Sequence, residues 1–235
     1  MARKLVIASN NRHKLEELVQ MVASARSPQV RALEVLSIGA LGERLGPVPE
    51  IEESADTFAG NALLKANGIA AWMRSHGAEP HDMVLADDSG LCVAAFDGAP
   101  GVYSARFAGT SGPGTDEANN RKLVTELQAR GLDRSPAEYV CVLALRFVGT
   151  RPFDFTLPES GTVYMRDGCL CLEGRAPGQV RIERRGQGGF GYDPHFWVDD
   201  GARTYAELSM ADKARRSHRG AAMRKLIDEL PLMLA

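Results

Sequence analysis

Cysteine is scarce. Only four stand among the 235 residues, Cys92, Cys141, Cys169 and Cys171. None forms a Cys-x-x-Cys pair and no histidine follows at zinc-ligand spacing, so the patterns of a structural zinc site are absent. Cys169 and Cys171 lie two apart and face the same side of a strand. All four read as small, reduced, mostly buried side chains, which fits a cytoplasmic setting. Long apolar runs are lacking too. No stretch approaches the about 20 residues of a membrane-spanning helix, and the apolar segment after Met1 is too short for a signal peptide, so no membrane partner is expected. Charge of one sign is missing as well: the net charge is −2. No global field draws nucleic acid, and no basic domain with interleaved aromatics is present, so no nucleic-acid partner is expected. There is no G-x-x-x-x-G-K-[ST] phosphate loop, no internal repeat and no low-complexity linker.

What remains is a soluble globular composition, 44% hydrophobic and 25% charged. The length fits one domain, residues 1–235, or two lobes sharing a core. Lys4 to Ser9 reads as a strand buried on both faces, broken by Asn10-Asn11. A helix from Arg12 to about Arg26 places Leu15, Leu18, Val19 and Val22 on one face. A short strand follows near Leu33 to Ile38, and the Pro- and acid-rich stretch from Gly46 to Asp56 reads as a loop. Asp56 is the expected N-cap of the next helix, whose apolar stripe is Phe58, Ala62, Ala66, Ile69 and Met73. Asn61 and Lys65 share another face of it. Met83 to Ala86 reads as a strand ending in a tight turn, with a second strand near Leu91 to Ala95. A Gly/Pro-rich loop precedes a helix over Thr115 to Arg130. Tyr139 to Val148 is a strong strand, and residues 149–184 alternate short strands with turns. A helix begins near Ser209, and another runs from Ser217 to Leu230. Early interleaving of strands and helices, then clustered strands, predicts an α/β fold with a mixed sheet.

Four constellations carry chemistry. The first is Asp87-Asp88-Ser89-Gly90. Two carboxylates together persist when a cation or a transferable proton balances them, which points to a divalent metal site or a general base. The same residues also make an ordinary turn. The second is Ser9-Asn10-Asn11-Arg12-His13-Lys14, between a strand and a helix N-terminus, where free N–H groups and the helix dipole attract anions such as a polyphosphate. The plainer alternative is a polar cap with a solvated lysine. The third is Gly186 to Gly191. It matches G-x-G-x-x-G literally, but Pro194 follows within three residues and disfavours the helix that a dinucleotide fingerprint must open. Its glycines fit close approach of something flat, with Phe190 as a stacking face or as a core residue. The fourth is Lys213 with Ser217-His218-Arg219. Cations in the first turn of a helix are unfavourable, and that local conflict points to an anionic partner. Glu50, Glu52, Glu53 and Asp56 form an acidic loop. Either it is simply solvated, or one glutamate joins Asp88 around a hard cation such as Mg²⁺.

An anion-binding turn, an acidic corner, a stacking loop and a basic helix start are the groups that a nucleoside triphosphate with Mg²⁺ needs. The chain resembles the inosine/xanthosine triphosphate pyrophosphatase family. The resemblance rests on SNNRHKLEEL at 9–18, DTFAGNALLKA at 56–66, ADDSGLCVAAFDGAPGVYSARFAG at 86–109, GGFGYDPHF at 188–196 and AELSMADKARRSHRGAAMRKL at 206–226. These segments spread over nearly the whole chain in the family's order. The resemblance implies an elongated α/β fold whose mixed sheet splits into two lobes flanked by helices, with the active cleft between them, and a homodimer. It implies hydrolysis of non-canonical purine nucleoside triphosphates (ITP, dITP, XTP) to monophosphate and pyrophosphate, with Mg²⁺.

By motif, the resemblance makes Asp88 the general base and metal-linked carboxylate, with Ser89 touching substrate. Ser9, Asn10, Asn11, Arg12, His13 and Lys14 belong to the triphosphate turn, supported by Lys65. Phe190 stacks on the base, and Gly191, Tyr192 and Asp193 shape its pocket. Lys213, His218 and Arg219 bind base and phosphates. Glu53, four before Thr57, is the second metal-linked carboxylate, with Glu52 as its neighbouring alternative; Asp87 is a structural or metal-shell partner. One departure stands out: residues 149–172 exceed what compact bacterial members carry and read as an extended hairpin. A Maf-like pyrophosphatase, a non-hydrolysing nucleotide regulator and a nucleic-acid module are the rival readings. The first lacks the SHRG and GGFGYDP pair, the second needs no general base, and the third meets an acidic net charge.

Overall fold

The computed structural model describes residues 3–150, 161–198 and 201–234. Its strands are β1 (Lys4–Ile7), β2 (Glu34–Ser37), β3 (Met83–Val93), β4 (Arg134–Phe147), β5 (Val163–Arg166), β6 (Cys169–Arg181), β7 (Phe196–Val198) and β8 (Arg203–Thr204). Its helices are α1 (Arg12–Ala23), α2 (Pro28–Arg31), α3 (Ile38–Leu45), α4 (Phe58–Ser75), α5 (Thr115–Ala129), α6 (Met210–Arg216) and α7 (His218–Leu234). The strand order is β2-β1-β3-β4-β6-β7-β8, with β5 on β6. β1 pairs in parallel with β2 and β3, while the β5/β6, β6/β7 and β7/β8 pairs are antiparallel. The expected α/β class with a mixed sheet is therefore what forms.

The chain resolves into two compact units, one of residues 1–88, 142–174 and 222–235, the other of 89–141 and 175–221. In the first, β1 is buried at Leu5, Val6 and Ile7, as its apolar run requires. α4 lays Ile69, Ala70 and Met73 against Val6 and Val84, and Ala62 and Ala66 against Ala86, Val142, Cys169 and Cys171. The stripe read from spacing is thus the packed face, and both cysteines point into that core. Burial raises the Cys171 thiol to about 12, and none of the four cysteines is in a disulfide. In the second unit, Leu123 and Leu127 of α5 pack with Leu91, Val93, Tyr139, Val180, Phe196 and Tyr205.

Several boundaries differ from expectation. Asp87 to Gly90 is not a turn: β3 continues unbroken through it to Val93. Ladder hydrogen bonding overrides the turn preference of Asp, Ser and Gly, since what those residues favour is local and weak. The cap of α4 is Thr57, whose Oγ accepts from Gly60 N at 3.1 Å, rather than Asp56. α2 and α3 fall where spacing showed no helix; each starts on a serine whose hydroxyl accepts a backbone N–H, Ser27 and Ser37. β5 and β6 form a hairpin through Asp167-Gly168, both at positive φ (49° and 73°), as a two-residue turn of primed type demands. The remainder of the expected long hairpin, residues 151–160, lies outside the described residues. No helix among the described residues is long and apolar enough to cross a membrane.

Candidate active site

In a strand, neighbouring side chains point to opposite faces. This alternation divides the acidic pair. Val84, Ala86 and Asp88 lie on the face that α4 covers, and Asn61 of α4 donates from Nδ2 to Asp88 Oδ2 at 3.0 Å. Asp87 points the other way and is buried, with 6% of its surface exposed. Lys14 Nζ meets both of its oxygens, at 2.8 and 2.7 Å. Each carboxylate meets a partner on its own face, Lys14 for Asp87 and Asn61 for Asp88.

Around the N-terminal turn, Ser9 Oγ accepts from Asn11 N at 3.1 Å, and Asn11 Oδ1 accepts from Lys14 N at 3.3 Å. These caps shape the start of α1. His13 sits in its first turn, and Arg12 is spent on an exposed pair with Glu16 at 2.7 Å. Ser9, Asn10 and Lys65 line one pocket of about 240 Å³ whose other walls are apolar, including Ile38, Val48 and Ile69. Asn10 fits there because Gly39 of α3 has no side chain; a Cβ on Gly39 would stand 2.5 Å from Asn10 Oδ1. Lys65 Nζ pairs with Glu53 at 3.2 Å. So the acidic loop and the second lysine do come together, with Glu53 as the contacting glutamate.

In the second unit the glycine-rich loop forms no helix, which disposes of the dinucleotide fingerprint. Phe190 is 57% exposed, a face offered to solvent rather than a core residue. Its loop is clamped from both sides. Asp193 Oδ2 accepts from Phe190 N at 2.8 Å and from Lys213 Nζ. Asp116 Oδ2 accepts from Gly191 N at 2.7 Å, and Asn120 Nδ2 donates to Gly191 O at 2.9 Å. Lys213 Nζ also stands 4.5 Å from the Phe190 ring centroid. Asp193 is buried, and burial pushes its carboxyl up against the opposing pull of Lys213. Tyr192 is buried with its hydroxyl donating to Ser104 O at 2.8 Å, so it supports the loop from beneath. At the start of α7, where the last helix was expected to begin, Ser217 Oγ accepts from Gly220 N at 3.0 Å and caps it. Arg219 Nη2 reaches Ser89 Oγ at 3.3 Å. The His218 ring stacks on Tyr139, with centroids 4.8 Å apart.

Three supporting residues, Asp116, Asn120 and Tyr139, escaped sequence reasoning, and Asn61 was only half legible. Asp116 and Asn120 are four apart on α5, a spacing that places them on one face, but nothing local says which loop they hold. Tyr139 reads only as a strand residue. Asn61 is the exception. Its face was visible beside Lys65, though its partner was not.

Comparison with known proteins now bears on this arrangement. The profile of the Ham1 family matches residues 5–229. A dITP/XTP pyrophosphatase of Ralstonia nicotianae is 42% identical over 231 residues, covering 98% of both chains. One of Nitrosomonas europaea is 40% identical over 229 residues, covering 97% of this chain and 94% of its own. Among solved structures, a HAM1 protein from Coxiella burnetii superposes with a TM-score of 0.77 at 31% identity, covering 97% of this chain and 98% of that one. The chain therefore belongs to the Ham1 family.

Proposed function

We propose that this protein hydrolyses the non-canonical purine nucleoside triphosphates ITP, dITP and XTP to the monophosphate and pyrophosphate. The observation that carries this reading is similarity along almost the whole chain to proteins named dITP/XTP pyrophosphatases. The geometry supports it. Asp88, held by Asn61, is the base that deprotonates or orients a water for in-line attack on the α-phosphorus. Ser9, Asn10, Asn11 and Lys14 receive the phosphates, and Lys14, with Lys65 or Lys213, stabilises charge on the leaving pyrophosphate. Phe190 stacks on the base. Arg219, beside Ser89, donates to the O6 acceptor of hypoxanthine or xanthine. Adenine carries an amino group there and would leave that donor unsatisfied, which is how polar sites reject near-isosteres.

Magnesium fits the donor set. Among the described residues no group of three His, Cys, Asp or Glu side chains could hold a metal alone. Mg²⁺ is commonly bound by one or two carboxylates together with substrate phosphates. Asp88 and Glu53 are the hard oxygen donors proposed to hold it, while Asp87 is assigned to anchoring Lys14. Bound there, the ion supplies neutralisation of phosphate charge. Four thiols outside any disulfide support a reducing, cytoplasmic setting. A homodimer is expected, and light scattering at twice the chain mass tests it.

The deciding assay is pyrophosphate release from ITP, dITP, XTP, dTTP, ATP and GTP, each with and without Mg²⁺. Selective turnover of the first three supports the reading. Turnover of dTTP alone, or binding without hydrolysis, sinks it.

A further inference from the structure

We infer that Asn61 is a positioning residue for the reaction: one buried amide holds the base Asp88 on one side and the acidic loop on the other. The inference rests on the assignment of Asp88 as general base. Asn61 is 1% exposed, so both ends of its amide require partners. Oδ1 accepts from Ala55 N at 2.9 Å, and Nδ2 donates to Asp88 Oδ2 at 3.0 Å. The orientation follows from chemistry. A backbone N–H only donates, so the amide oxygen must face Ala55, which turns the NH₂ toward the carboxylate. No swap of oxygen and nitrogen satisfies both neighbours.

The anchor is stiff at each point. Asn61 lies in the first turn of α4, next to the cap bond between Thr57 and Gly60. The loop packs so closely on that turn that a Cβ on Gly60 would lie 2.5 Å from Ala55 Cβ. One turn later on the same face, Lys65 pairs with Glu53, two residues before Ala55. The two carboxylates proposed to serve the reaction are therefore set by one helix face, Asp88 through Asn61 and Glu53 through Lys65. An amide suits the Asp88 position because it directs a carboxylate oxygen without adding charge. The Asp88 oxygen that faces Asn61 is fixed, and the carboxylate can no longer rotate freely about its own axis. Fixing a reacting group in productive geometry acts on turnover rather than on substrate affinity.

The test is steady-state ITP hydrolysis by Asn61→Asp and Asn61→Ala beside Asp88→Asn. Calorimetric binding of a non-hydrolysable α,β-imido ITP with Mg²⁺ and near-UV circular dichroism are measured on each. Asn61→Asp keeps the acceptor for Ala55 and loses the donor to Asp88; Asn61→Ala loses both. The expected result is a fall in kcat of roughly tenfold to a hundredfold in both variants, as for loss of a charge-assisted hydrogen bond. KM and analogue affinity should stay within about threefold of wild type, since ground-state binding is untouched. Retention of kcat within about threefold in Asn61→Asp overturns the inference and leaves only a loop tether. A loss carried by KM or by analogue affinity overturns it as well. If one variant fails to fold, the other decides by the same thresholds; if neither folds, Asn61 is a folding residue and the inference is overturned. Asp88→Asn separates the two failures. Near-normal turnover there removes the base itself and this inference with it, whereas an inactive Asp88→Asn beside an unaffected Asn61→Asp defeats this inference alone.

Discussion

Replacing Lys14 with Met should destabilise the protein far more than replacing Asp87 with Asn, although each breaks the same ion pair. Lys14 Nζ lies 2.8 and 2.7 Å from the two Asp87 oxygens, with side-chain exposures of 21% for the lysine and 6% for the aspartate. Without the lysine, a buried carboxylate loses the cation that meets both of its oxygens. Breaking a buried pair from one side costs about 3–5 kcal/mol. Lys14 is partly solvated, which brings the cost just below that range, to about 2–3 kcal/mol, or roughly 5–10 °C in Tm for a chain of this size. Losing the aspartate instead leaves a lysine whose flexible stem can carry its charge out to water, and the cost should be about 1 kcal/mol or less. The double variant Lys14→Met/Asp87→Asn should recover much of the single loss, giving a coupling energy above about 1.5 kcal/mol. Urea unfolding of the four proteins measures all of this. A coupling below about 0.5 kcal/mol would refute the pairing argument. Activity adds a second criterion. As the anchor of Lys14, Asp87 should affect the KM for ITP, leaving the Mg²⁺ concentration for half-activation unchanged in Asp87→Asn. A large shift in that Mg²⁺ requirement would return Asp87 to the metal.

Three other outcomes are expected. Phe190→Ala should raise the KM for ITP roughly fivefold to a hundredfold, the worth of one base stack, while Phe190→Tyr stays near wild type; equal KM values for Phe and Ala would remove the stacking role. Gly189→Ala should cost at least about 1–2 kcal/mol for the left-handed backbone alone, because φ is +75° and the new Cβ would overlap Asp193 Oδ2, and it should weaken ITP binding by displacing the clamp on Phe190. Unchanged urea midpoint and KM would show that the loop tolerates the methyl group. Burial lowers the His195 pKa below its ordinary 6.5. Below about pH 6.5 the unfolded chain binds a proton that the folded one does not, so stability is complete above that pH and declines as pH falls toward the folded value. Urea midpoints at about pH 8, 6.5 and 5 should fall less steeply in His195→Gln than in wild type, and parallel profiles would exclude His195 as a contributor.

The elements that read correctly are those whose signal is local and repeated. The α4 stripe at Ala62, Ala66, Ile69 and Met73 is visible because helical spacing places those residues on one side, and that side is buried. The Ser217 cap is visible because capping depends on a residue's own hydroxyl and the next turn. The errors cluster where distant residues outvote local preference. Asp87 to Gly90 carries turn residues yet lies within β3. α3 begins on Ser37, where β2 ends, and no long periodic run announces it. On the site, Lys14, Lys65, Asp88, Glu53, Phe190, Lys213 and Arg219 were all legible as candidates from residue type and resemblance. Their partners were not.

By itself, then, the sequence determined the α/β class, the apolar faces, the start of the last helix at Ser217 and the chemical kinds of side chain offered as site candidates. These follow from periodicity and from functional groups, which one stretch of chain carries alone. Only the tertiary structure decided that Asp87 belongs to Lys14 and Asp88 to Asn61. It also decided that Glu53 rather than Glu52 meets Lys65, and that Asp193, Asp116 and Asn120 grip the Phe190 loop. The reason is geometric. A strand sends adjacent side chains to opposite faces, and which helix waits on each face is set by how the sheet and helices pack, 27 residues away for Asn61 and Asp88 and 73 for Lys14 and Asp87.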